Sequence, residues 1–121
     1  MRLEECYKSF GGSCEDVKIR LQNDAIVQRL VIKFLTDPSY TNLCEALEQG
    51  NYEEAFRAAH SLKGVCQNLS FVNLSQSSSL LTELLRGGRE QAVDQELCNT
   101  FMKQVTEDYE AVTEAIRRLQ E

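Results

Sequence analysis

The sequence predicts an all-α fold, an antiparallel up-down four-helix bundle with one or two short additional helices at its N-terminal end. Three observations point there. Apolar residues recur at steps of three and four in segment after segment. One proline and six glycines stand among many Leu, Glu, Gln, Arg and Ala residues, a mixture that favours helix. No stretch alternates with the two-residue period of a strand, and no repeat or low-complexity linker divides the chain. The 121 residues are read as one domain, 1–121, long enough for a single modest core.

Each element has its own signals. The opening "MRLEECYKSF" reads as a short helix ended by Gly11 and Gly12. Ser13, with Asp16 three residues later, reads as the start of a brief second helix through Leu21. Asn23 is a candidate N-cap for a helix carrying Ile26, Val27, Leu30, Val31 and Phe34. Pro38 lacks a backbone N–H and disfavours helix at Asp37, so the stretch from Asp24 to Gly50 forms either one kinked helix or two. Asn51 then caps a segment with Glu53 and Glu54 in its first turn, where the helix dipole favours acids. Its stripe of Ala55, Ala59, Leu62, Cys66 and Leu69 should face the core. The chain turns near Ser70 to Asn73, and "LSQSSSLLTELL" forms the next helix, closed by Gly87 and Gly88. A last helix runs from about Glu90 to the end, with Val93, Leu97, Phe101, Val105, Tyr109, Val112 and Ile116 turned inward.

Composition narrows the function. Thirteen basic against nineteen acidic residues leave a formal charge of −6, which argues against nucleic acid as a partner. No apolar run approaches the ~20 residues of a membrane span, and no signal-peptide pattern opens the chain. A cytoplasmic protein without membrane contact is the expectation, and a monomer. The five cysteines, Cys6, Cys14, Cys44, Cys66 and Cys98, form no CxxC pair for zinc or redox work. Reduced thiols, several of them buried, are expected, with no metal site and no cofactor.

The only histidine stands in "AAHSLKGVCQNLSF", residues Ala58 to Phe71. At 100° per residue His60 lies about 140° around the helix from Ala55, and therefore faces out. Lys63, Gly64 and Gln67 come at i+3, i+4 and i+7 on the same strip, and Phe56 precedes His60 by one turn. An imidazole with an ordinary pKa near 6.5 is largely neutral at cytosolic pH and keeps one nitrogen as a nucleophile. A Lys63 ammonium would offset the charge of a phosphoryl group on that ring. Gly64 costs the helix about 1 kcal/mol relative to Ala, and what it offers is an absent side chain that permits close approach. Gln67 is a candidate for orienting the ring or the phosphoryl. Taken singly, each has a plainer explanation. A lone surface histidine is usually just solvated, and Gly64 would also serve where a neighbouring helix comes close.

The stretch resembles the signature of histidine-containing phosphotransfer (HPt) domains, A-A-H-x-L-K-G-x-x-x-N-L-G. Ala58, Ala59, His60, Leu62, Lys63, Gly64, Asn68 and Leu69 supply it here. "RLQNDAIVQRLVIKFL" is similar to that family's opening helix and "LEQGNYEEAFRAAH" to its approach to the histidine, so the resemblance covers roughly residues 13 to 119. The sequence departs from the pattern at Ser70, where the family usually has glycine, and at "SQSSS", Ser75 to Ser79, where it has larger residues. Gln67 falls on a variable family position.

The resemblance implies a phosphorelay carrier of two-component signalling. His60 would accept a phosphoryl group from a receiver-domain aspartate and pass it to another receiver, with Lys63 stabilising the charge. Response-regulator receiver domains and a hybrid histidine kinase are the implied partners, and magnesium would come with the receiver. The chain has no Walker-type nucleotide loop, so no ATP binding or autonomous kinase activity is expected. The span from Met1 to Glu121 suits a freestanding relay protein, although an excised kinase segment would look alike. Docking is expected to surround His60 and to use Phe56, Phe71, Val27 and Val31. The helix from Asp24 to Leu35 carries more apolar residues than one core stripe needs, so some should be exposed beside His60. The rival readings are a helical adaptor never phosphorylated on His60 and an enzyme using His60 as general base. The second would want an orienting carboxylate, where helical spacing offers Lys63.

Overall fold

A computed structural model describes residues 1–88 and 92–121, and among these there is no strand. The described residues form seven α-helices in order: α1 Leu3–Phe10, α2 Cys14–Leu21, α3 Asp24–Lys33, α4 Ser39–Glu48, α5 Tyr52–Asn68, α6 Val72–Leu85 and α7 Gln95–Gln120. Side-chain caps set several of the helix starts. Ser13 Oγ accepts from the Asp16 N–H at 3.1 Å, Asn23 Oδ1 from Ile26 at 3.1 Å and Asn51 Oδ1 from Glu54 at 3.2 Å. Each satisfies an N–H that the helix cannot pair internally. Around Pro38 the chain makes two helices: α3 tightens into one 3₁₀ turn, Phe34–Thr36, and Asp37 Oδ1 accepts from the Ser39 N–H at 2.9 Å as α4 begins.

Helices α4 to α7 pack in sequence, each against the next. Connections of three residues between α4 and α5, and between α5 and α6, reverse the chain each time. The shorter α1 lies along α7, and α3 leans on α7 as well. One core joins residues from Leu3 to Leu119. At the N-terminal end of α6 it is aromatic. Phe71 touches Tyr7, Phe10 and Phe34 at ring-centroid separations of 5.6, 5.0 and 5.2 Å. Tyr109 links Phe34 to Tyr40, with which it stacks at 3.9 Å.

The serine-rich stretch is part of this packing. Ser77 and Ser78 are buried on α6, and their small side chains let that helix settle between α5 and α7. The Ser77 hydroxyl donates to the Leu74 carbonyl at 3.3 Å, whereas the buried Ser78 hydroxyl has no hydrogen-bond partner among the described residues.

The inward face of α7 differs from its expected stripe. Glu90, the expected start, lies outside the described residues, and the helix begins at Gln95 with Asp94 as its cap. Leu97 is exposed, and the buried seam is Cys98, Val105, Val112, Ile116 and Leu119. Steps of four advance about 40° around a helix, so a stripe counted in fours drifts off the core. Steps of seven drift only about 20° in the other sense.

Candidate functional site

Helix α5 carries the site because its two sides have different duties. Ala55, Ala59, Leu62 and Cys66 are fully buried. On the opposite side His60, Gly64 and Gln67 are exposed, with Lys63 half-buried between the faces. Among the described residues no hydrogen bond or ion pair engages the His60 ring. Its nitrogens are therefore accessible to an incoming group.

Beside it the rings of His60 and Phe56 lie nearly parallel, 13° apart, with centroids separated by 6.0 Å. The Arg86 guanidinium, from the end of α6, sits 5.0 Å from the centre of the Phe56 ring. Glu83 holds that guanidinium, accepting from Arg86 Nη2 at 2.7 Å and from Nε at 3.2 Å. The Arg86 hydrogen bond is the main cause that holds the Glu83 carboxyl below its ordinary range, and the charges of Arg86, Lys63 and His60 act in the same direction. Glu83 is thus an electrostatic neighbour of both motif residues. Sequence reasoning missed Glu83 and Arg86. Phe56 and Arg86 lie equally far either side of Phe71 at the α5–α6 turn, which is the signal that could have paired them in an antiparallel hairpin.

At Gly64 a side chain would meet nothing: an added Cβ has no atom within 4 Å. The plainer explanation, a helix packed close against it, is therefore excluded among the described residues. The space above the glycine is open to solvent.

Three of the residues expected to dock a partner are inside. Phe71 sits at the centre of the aromatic cluster, and Val27 and Val31 have 0% exposure. On α3 two i,i+4 rows compete for the core. The row of Val27, Val31 and then Phe34 faces in, while Ile26 is 41% exposed and Leu30 half-buried. Apolar surface of α3 is therefore left outside the core at Ile26 and Leu30, but Leu30 faces the Val65–Leu69 end of α5 rather than His60. Leu30, Phe34, Pro38, Val65 and Leu69 line a shallow, mostly apolar cleft beside the C-terminal half of α5, with Lys33 and Asp37 at its edge. Phe56 is half-buried and stays on the His60 face.

The Gln67 side chain makes no hydrogen bond to His60; its backbone carbonyl is the engaged group, accepting from Arg20 Nη2 at 2.8 Å. Ser70, the departure from the motif, takes the left-handed conformation, φ 57°. That conformation favours glycine. Here it is offset by a side chain that works: Ser70 Oγ donates to Asp16 Oδ2 at 2.6 Å and accepts from Arg20. The Ser13 N–H also donates to the Ser70 carbonyl at 2.9 Å, and the Asn73 N–H to the Gly11 carbonyl at 3.0 Å. The α1–α2 region is thereby tied to the end of the histidine helix.

The family model of the Hpt domain matches residues 37–121. The chain belongs to the Hpt family. Searches of curated proteins and of solved structures gave no match. Hpt domains are histidine phosphotransfer carriers of two-component signalling, not kinases, and they interact with receiver domains and histidine kinases. The match takes in α4 to α7 with the whole histidine strip, and leaves α1, α2 and α3 outside. No helix among the described residues of this Hpt chain is long and apolar enough to cross a membrane.

Proposed function

We propose that this Hpt domain is a cytoplasmic phosphorelay carrier that takes a phosphoryl group from a receiver-domain aspartate onto His60 and delivers it to a second receiver. The observation that carries the reading is the pairing of an exposed, unengaged imidazole with open space over Gly64 one turn on. A receiver must bring a recessed acyl phosphate within bonding distance of the ring, and a bare helix turn beside the nucleophile admits it.

The step balances simply. A lone pair on one His60 nitrogen attacks phosphorus, the N–P bond forms, and the bond to the aspartyl oxygen breaks as the carboxylate departs. The ring's other nitrogen then releases its proton to water. Little covalent work falls to the protein, so alignment and charge stabilisation are its contribution. Lys63 supplies positive charge one turn from the ring. Magnesium would come with the receiver and would offset the charge of the acyl phosphate there. The receiver docks over His60, Gly64 and Phe56 and reaches the apolar surface of Ile26 and Leu30.

Mixing the protein with a labelled phospho-receiver tests this. Acid-labile, alkali-stable label on the wild type, and none on His60→Gln with helicity intact, is the expected result. Label on His60→Gln overturns the assignment. Receiver binding with no label on the wild type makes the domain an adaptor instead.

A further inference from the structure

The ring of His60, the ring of Phe56, the Arg86 guanidinium and the Glu83 carboxylate form a continuous file from α5 to α6. The motif accounts for the first of these groups and leaves a carboxylate at the far end, beside a site built to receive an anion. An acid there works against phosphoryl stabilisation. Two nitrogens of Arg86 hydrogen-bond it there, and Arg86 is itself seated over Phe56, with both charged side chains more than half exposed.

We propose that Glu83 tunes phosphotransfer: its negative charge, held beside the strip by Arg86, disfavours the phosphorylated state of His60 and so poises the carrier to give its phosphoryl group away. The proposal rests on the carrier reading above. Among the described residues, the charged groups of this file and of the strip beside it are Lys63 from α5 and Glu83 and Arg86 from α6, which sum to +1. Arg57, one turn before His60, is already paired with Glu53 and Glu54. A phosphoryl group brings about two negative charges, and the site becomes about −1. With a neutral residue at 83 the same site would pass from +2 to about 0, and phosphohistidine would be held more firmly. The outgoing step gains accordingly: the acceptor aspartate oxygen attacks phosphorus, the N–P bond breaks, and its electron pair returns to the ring nitrogen. A carrier that bound its phosphoryl too well would be a sink rather than a relay.

The test is the partition of label at equilibrium between receiver and Hpt domain, for wild type, Glu83→Gln, Glu83→Asp, Arg86→Ala and the Glu83→Gln/Arg86→Ala pair, with thermal melts alongside. The groups are exposed and screened, so Glu83→Gln should raise the ratio of phosphohistidine to phospho-receiver about three- to five-fold at low salt, and less at high salt. Glu83→Asp keeps the charge and should stay near wild type. In the Arg86→Ala background Glu83→Gln should produce the same gain or a larger one. An unchanged ratio overturns the proposal, including one accompanied by a lowered melting point, which would make the Glu83–Arg86 pair merely structural. So does a gain that vanishes without Arg86, because that would mean a freed guanidinium binds the phosphoryl. Wild type that takes up no label sinks the carrier reading itself, a result distinct from an unmoved ratio.

Discussion

Gly64→Leu should make this protein more stable and less active at once. The glycine sits well inside α5, four residues before its end at Asn68, and an added Cβ would find no atom within 4 Å. Nothing in the fold therefore opposes a side chain, and the helix recovers the conformational entropy that glycine forfeits. Replacement of an interior helical glycine by Ala is worth about 1 kcal/mol, and by Leu slightly less. For a chain of this length, about 1 kcal/mol raises the thermal midpoint by roughly 4 °C. On the proposed relay, the same leucine fills the space through which an acyl phosphate would reach His60. A displacement of about 1 Å at a reacting centre costs on the order of 100-fold in rate. Thermal denaturation followed by circular dichroism, and single-turnover transfer from a labelled receiver, read the two effects independently. Calorimetric titration with a phosphorylation-mimicking receiver should show at least about ten-fold weaker binding, ~1.4 kcal/mol. A lowered midpoint would mean that the glycine serves packing. Unchanged transfer and affinity would move the docking surface elsewhere.

Other perturbations address separate parts of the molecule. Lys63→Ala should slow transfer or shorten the phosphohistidine lifetime about ten-fold, ~1.4 kcal/mol, because a half-screened charge leaves the site; an unchanged rate and lifetime would remove Lys63 from it. Arg20→Ala severs the bonds to the Gln67 carbonyl and the Ser70 hydroxyl, and at about 1 kcal/mol per bond should lower the midpoint by roughly 4–8 °C. A midpoint that stays put would show that α2 is not held by this residue. Burial pushes the Cys6 thiol up to about 11 from its ordinary 9.0, and burial also raises Cys66 and Cys98. A raised folded pKa means that the protonated thiol belongs to the folded state. Its contribution is full below about pH 9 and is lost as pH climbs towards 11. Melting points taken across that window should fall, and fall less steeply in Cys6→Ala; equal slopes would clear the thiol of responsibility.

Much of this was legible because helix signals are local. Ser13, Asn23 and Asn51 announce the starts of α2, α3 and α5 by chemistry that involves only the next three residues. The outward turn of His60 comes from the stripe of Ala55, Ala59, Leu62 and Cys66 on its own helix. What the sequence hid depends on neighbours. Two equally apolar rows run along α3, and only contact with the rest of the bundle decides that Val27 and Val31 go in while Ile26 stays out. Phe71 comes directly after the motif, yet rings from α1 and from the 3₁₀ turn close over it. Ser70 looks like a lost glycine until Asp16 and Arg20, 54 and 50 positions earlier in the chain, are seen on its hydroxyl.

The aromatic cluster around Phe71 also sets where the protein can be cut. The family match begins at Asp37, but three of the rings around Phe71, those of Tyr7, Phe10 and Phe34, come from before that point. A fragment starting at Asp37 would keep every residue of the histidine strip and lose the cover of its own core. It would also lose the Tyr7 hydroxyl that donates to the Leu69 carbonyl at 2.7 Å, and Arg20 at the end of α5. An aromatic ring buries roughly 150–250 Å², so such a fragment would present a sticky apolar floor directly beneath the turn that ends the histidine helix. The smallest piece expected to fold is therefore larger than the piece that carries the signature, with α1 inside it.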